Sequence, residues 1–200
     1  VAILPQMNEY HIISDYCIGA EDAVDSVALY SDVPLSEIEE IYLDYQSKTS
    51  ITLVQVLAEK HWGILPNWKK ASDGFENEIK GKTAGVIIGD RTFNLSKTYA
   101  YKYDLAEEWF QFTGLPFVFA CWVSNIKLPE PFIAKFNSAL ITGVNHIEAA
   151  INNVDEPLPQ PISKICLALL GTAAMAFNVA SSLPGPHRSN GSNTVIKSCM

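Results

Sequence analysis

Residues 41–63, IYLDYQSKTSITLVQVLAEKHWG, pass from a short apolar run through a polar turn straight into an amphipathic helix. Ile41 to Asp44 predicts a strand, and Tyr45 to Ser50 predicts the turn after it. Leu53, Val54, Leu57, Ala58 and His61 recur at helical spacing on one face, and Gly63 is the expected stop. A strand feeding a helix in this way is the building unit of an α/β fold. Working outward, the same alternation recurs. Ser26 to Ser31 (SVALYS) predicts a strand, and Pro34 with SEIEE at 36–40 a short surface helix. Ala84 to Gly89 is a continuous apolar run, the pattern of a strand buried in a parallel sheet. Asp104, with Glu107 three residues on, predicts a capped helix that Gly114 and Pro116 end. Phe117 to Val123 predicts a strand. A long amphipathic helix is expected from about Pro129 to Asn152, with Phe132, Phe136, Leu140, Val144, Ile147 and Ile151 on one stripe. The expectation is an α/β architecture with mostly parallel pairing. Val1-Ala2-Ile3-Leu4-Pro5 reads as the end of a strand entered from elsewhere, so that the chain is expected to begin inside a domain.

The 200 residues carry a formal charge of −8. An acidic surface argues against nucleic acid, whose phosphates require a basic one, and against attraction to anionic lipid. A small anionic ligand needs local donors that act against the overall field. Cys17, Cys121, Cys166 and Cys199 form no C-x-x-C pair, and His11, His61, His146 and His187 have no metal-ligand spacing. The expectation is therefore free thiols, no metal, no cofactor and a cytoplasmic setting. All 22 acidic residues lie before Pro161. Ile165 to Leu183 is an uncharged run of 19 residues, open to three readings: a membrane helix, a buried terminal helix, or a non-native end with a disordered tail.

Candidate chemistry centres on Ser47-Lys48-Thr49-Ser50, three hydroxyls and a lysine between a strand and a helix. The first turn of a helix leaves about four backbone N–H groups without intrahelical partners and carries the positive end of the helix dipole. Such a turn can bind a carboxylate without net positive charge on the protein, or it can simply cap its helix. Gly89-Asp90 closes the buried strand at its carboxyl edge, where open α/β sheets place ligands. Gly89 suits close backbone approach; Asp90 is a general base or, the favoured reading, the cap of a helix starting at Arg91. Cys121 in an apolar strand reads as packing rather than a nucleophile, and His61 as a partner of a helix end.

Three stretches together carry a resemblance. They are ISDYCIGAEDAVDSVALYS (13–31), LDYQSKTSITLVQVLAEKHWGI (43–64), and IIGD (87–90) followed by YDLAEEWFQFTGLPFVFACWV (103–123). The chain resembles the MqnA family, the chorismate dehydratases of the futalosine route to menaquinone, from Val1 to roughly Asn153. The resemblance implies a two-lobed fold of the periplasmic-binding-protein type II kind with a ligand cleft between lobes. Lobe one would comprise 1–32 and 119–153, incomplete at its start; lobe two would comprise 33–118; and 154–200 would be an atypical tail, partly helical or disordered. It implies a lyase that removes water from chorismate, a small dianion, to give 3-[(1-carboxyvinyl)oxy]benzoate. It also implies substrate contacts at Ser26, Ser47, Lys48, Thr49 and Ser50; Gly89 and Asp90 join them as expected contacts from their place at the strand's carboxyl edge, and the catalytic proton acceptor is unassigned. Two departures stand out: the family usually has Arg where this chain has Lys48, and often Gly where it has Asp25. The family has further residues before the position of Val1, so an inactive fragment is one alternative. A non-enzymatic solute-binding protein for a small anion is the other.

Overall fold

A computed structural model describes residues 1–146. The expectations for the end of the long helix, for Ile165 to Leu183 and for the 154–200 tail lie outside the described residues. Among those described, no helix is long and apolar enough to cross a membrane. The chain divides into two compact units, each with its own sheet.

The larger unit, Glu21–Phe117, holds a five-stranded sheet. Its strands are β2 (Val27–Ser31), β3 (Glu40–Leu43), β4 (Asn67–Lys70), β5 (Thr83–Ile88) and β6 (Tyr101–Asp104), in the spatial order β4-β3-β5-β2-β6; β1 belongs to the other unit. The predicted α/β character holds, but the pairing is mixed. β3 runs parallel to β4 and β5, whereas β2 runs antiparallel to both β5 and β6. A continuous apolar run such as 84–87 reports that both faces are covered. It carries no information on strand direction, and the expectation of mostly parallel pairing fails for that reason. The edge strands β4 and β6 had no sequence signal because edges are polar. NWKK is exposed throughout, and lysines there discourage pairing with another sheet edge.

Helix α1 (Lys48–Leu57) buries Leu53, Val54 and Leu57 against this sheet, as its periodicity required. It continues into a π-helical turn, Ala58–Trp62, which Gly63 ends in the left-handed conformation. Helix α2 (Leu105–Thr113) is capped by Asp104 at its start and by left-handed Gly114 at its end. On the sheet's face lies a cluster of Ala28, Tyr30, Phe75, Ile79 and Ile87. Gly85 belongs to this packing: a Cβ there would stand 2.5 Å from Ile79 Cδ1 and 2.9 Å from its Cγ1.

The smaller unit holds residues 3–20 and, of the described residues, 118–146. It pairs β1 (His11–Ala20) with β7 (Phe117–Ser124), and α3 (Glu130–Asn145) packs on β1. The Asn137 carboxamide oxygen accepts from Ser14 Oγ (2.9 Å) and from the Asp15 amide (3.2 Å), fixing α3 on the strand. Trp122 meets Phe136 edge to face at 5.2 Å. The segment read as a strand end, 1–5, instead forms a turn and a short 3-10 helix, Leu4–Gln6. Pro5 suits the first turn of a helix, where its missing N–H is not needed.

One side chain organises the entry to β2. The Asp104 carboxylate accepts from the amides of Val24 (2.9 Å) and Asp25 (2.7 Å) through one oxygen, and from Ala106 (3.0 Å) and Glu107 (3.3 Å) through the other. The cap was predicted; its second pair of donors, 80 and 79 residues away in the chain, was not. Burial pushes the Asp104 carboxyl above its usual range, against the pull of these four donors.

Two substitutions test this packing. Gly85→Ala should cost about 1–3 kcal/mol, typical of an overpacked core. Adding Ile79→Val should return part of that loss, seen as a urea midpoint above the sum of the single effects; an unshifted midpoint for Gly85→Ala would contradict the close approach. Asp104→Ala should cost more than the about 1 kcal/mol of an ordinary helix cap, because it strands buried amides at two places. A loss no larger than that of a cap would show that the Val24 and Asp25 contacts contribute nothing.

Candidate functional site

The direction of three strands brings three loops to one edge of the larger sheet. Parallel β3 and β5, in register Tyr42↔Gly85, both run out at this edge. Antiparallel β2 starts there, with Val27 opposite Ile88. The loops are the approach to β2 at Asp25-Ser26, the turn from β3 into α1, and the turn that follows β5. Every sequence-predicted contact residue is in one of them.

Ser26 and Gly89 are in direct contact: the Gly89 amide donates to the Ser26 carbonyl at 2.7 Å. Gly89 has φ +64°, a region in which an L side chain is strained. It opens a 3-10 helix, Gly89–Phe93, whose residue at the cap position, Ile88, offers no side-chain hydrogen bond. The helix thus starts at Gly89, and Asp90 lies inside its first turn rather than capping a start at Arg91. Thr92 Oγ1 donates back to the Gly89 carbonyl at 2.8 Å. Before Ser26, Asp25 holds φ 59°, where Gly would carry no Cβ penalty. Here the Asp25 amide is held by Asp104, and its carboxylate accepts from Lys102 Nζ at 2.5 Å.

At the start of α1, Ser47 is the N-cap. Its Oγ accepts from the Ser50 amide (3.1 Å) and from the Ser50 hydroxyl (2.9 Å). Ser50 is buried, Ser47 and Thr49 are half-buried, and Lys48 is exposed. The Ser47 and Ser50 hydroxyls therefore organise the turn, while Lys48 carries its positive charge into solvent. Such a turn offers an anion the helix dipole and one mobile ammonium.

Sequence reasoning missed the cluster directly beneath these loops. Asp44 follows β3 and is fully buried. One of its oxygens accepts from the Gln46 amide at 2.7 Å and the other from Arg91 Nη2. Arg91 Nη1 donates to Glu76 Oε1 at 3.1 Å, and the guanidinium lies over the rings of Tyr45 (5.0 Å) and Phe75 (5.7 Å). Burial pushes the Asp44 carboxyl up, while the Gln46 amide and Arg91 oppose the rise. The signal available beforehand was thin: an Asp closing a strand and an Arg shortly after another, 47 residues apart.

Other candidates fall outside this edge. Burial pushes the Cys17 thiol up to about 11, and the Cys121 thiol rises for the same reason, which removes thiolate character from both. His61 Nε2 lies 3.4 Å from Glu108 Oε2, which also accepts from Trp62 Nε1 at 2.6 Å. The π-helical end of α1 is thereby tied to α2. No group of three or more His, Cys, Asp or Glu among the described residues could hold a metal ion.

The chain is similar to known proteins. A curated chorismate dehydratase from Thermus thermophilus is 27% identical over a 148-residue alignment, covering 64% of this chain and 53% of the relative. The chain thus spans about half the length of that relative. A crystal structure of a protein from Archaeoglobus fulgidus is 16% identical and covers 82% of this chain and 59% of its own, with a TM-score of 0.48. The family model described as menaquinone biosynthesis matches residues 1–160. With most of its length inside that match, the chain belongs to the menaquinone biosynthesis family.

Proposed function

We propose that this protein is a chorismate dehydratase, a lyase that removes water from chorismate to give 3-[(1-carboxyvinyl)oxy]benzoate on the futalosine route to menaquinone. The reading is supported by the family and by the name of the Thermus relative. The observation that carries it in this molecule is the convergence of Ser26, the Ser47–Ser50 helix start and Gly89 at one sheet edge. In the same reading the two compact units correspond to the lobes of a periplasmic-binding-protein type II fold, and the protein works in the cytoplasm.

The chemistry asks little of the protein. One C–H and one C–OH bond of the ring break, water leaves, and the ring becomes aromatic. Aromatisation supplies the driving force, so the protein's tasks are to grip carboxylates, orient the leaving hydroxyl and exclude water. On this reading the first turn of α1, with Lys48, takes a substrate carboxylate, although the protein as a whole is acidic. Lysine in place of arginine supplies a point charge without a bidentate fork. Ser26, Gly89 and Asp90 border the same region.

The test uses protein expressed from the complete reading frame, incubated with chorismate without added metal or nucleotide. An aromatic product with the mass of chorismate less water is expected. A protein that binds small anions yet leaves chorismate intact would be a solute-binding relative instead, and the lyase reading would be lost. Two variants separate gripping from capping. Lys48→Gln should weaken chorismate binding roughly ten- to a hundredfold, the value of a hydrogen bond to a charged group, with an unshifted unfolding midpoint. Ser47→Ala should lower stability by about 1 kcal/mol, as loss of an N-cap does. Unchanged affinity in Lys48→Gln would remove the carboxylate from this turn.

A further inference from the structure

We propose that Arg91 is a positioning residue that holds the start of α1 and the turn at Gly89 in fixed register, so that both meet one ligand; this rests on the site assigned above. The two segments follow different strands, β3 and β5. Arg91 links them. It sits two residues after Gly89, within the same 3-10 helix, and donates to Asp44, three residues before the Ser47 cap. Asp44 in turn fixes the Gln46 amide, the residue that precedes the cap. The chain of contacts therefore runs from the turn at Gly89 through Arg91 and Asp44 to Gln46, next to the Ser47 cap, entirely within one compact unit.

The guanidinium is held on several sides, which gives it a fixed orientation. Glu76 takes its second nitrogen, and the Tyr45 and Phe75 rings flank it. Tyr45 lies in the α1 turn itself, so Arg91 touches that turn both through a carboxylate and through a ring. With both nitrogens engaged by protein carboxylates, and its side chain only 23% exposed, Arg91 is an inner support rather than a group that grips substrate. Lysine in its place is a compact point charge without a planar fork, and cannot reproduce the paired carboxylate geometry together with ring stacking.

The experiment follows Arg91→Lys and Arg91→Ala by amide hydrogen exchange and by chorismate titration, each also in a Lys48→Gln background. Exchange of the 46–50 and 89–93 amides should rise at least tenfold in Arg91→Lys, while that of the β2 and β5 amides stays at the parent rate. Chorismate affinity should fall about tenfold in Arg91→Lys alone but less than twofold further when Lys48→Gln is already present, because both act through the same turn. A purely structural role would lower the unfolding midpoint and raise exchange everywhere; that outcome, or additive affinity losses, overturns the proposal. If the parent chain ignores chorismate, the lyase reading falls, and with it Arg91 as a positioning residue for that substrate. Exchange confined to the two turns would then leave only a local clamp.

Discussion

A single carboxylate, that of Asp104, determines how the main sheet of this protein is entered. Two of the amides it accepts open α2, and the other two, at Val24 and Asp25, lie immediately before β2. β2 pairs with both β5 and β6, so its start sets the register of the antiparallel half of the sheet. The same contact holds Asp25 in a left-handed conformation that an isolated aspartate adopts only at a cost. Removing a buried acceptor leaves its donors without water or protein partners, which is why an interaction of this kind shapes its surroundings more than an exposed ion pair does.

The consequence is felt at the candidate site. Once β2 is antiparallel to β5, its first residues face the turn that leaves β5, and Ser26 meets Gly89 through the backbone. Parallel β3 delivers the start of α1 to the same edge. On the function proposed above, an acidic chain would thereby hold an anion with backbone dipoles, one lysine and small residues. Arg91, in the turn after β5, is engaged by Asp44 and Glu76. Electrostatics of this type favours a ligand held by several oriented donors and does little to attract polyanions at long range.

The smaller unit behaves differently. Its helix α3 has no buried residue, and Trp122 and Phe132 are about half exposed, at 51% each. Among the described residues, the Ser14–Asn137 hydrogen bond and aromatic contacts such as Trp122 with Phe136 tie its parts together. The larger unit, by contrast, buries Leu29, Ile41, Val54, Leu57, Val86 and Leu105 almost completely.

What the amino-acid sequence settled by itself was local. Helical spacing located α1 and its buried face, Asp104 and Gly114 marked the ends of α2, the apolar run at 84–87 marked β5, and the quoted motifs carried the family to which the chain belongs. Each of these signals arises from residues a few positions apart. Tertiary structure decided the rest: the antiparallel direction of β2, the polar edge strands β4 and β6, the turn at residues 1–5, the start of the 3-10 helix at Gly89, and the Asp44–Arg91–Glu76 cluster. Strand direction is set by which loops can close and which edges meet, and a guanidinium finds its carboxylates only after those strands pair. Contacts between residues tens of positions apart leave no periodic trace in one chain, so the site's supports became visible only when the sheet was assembled.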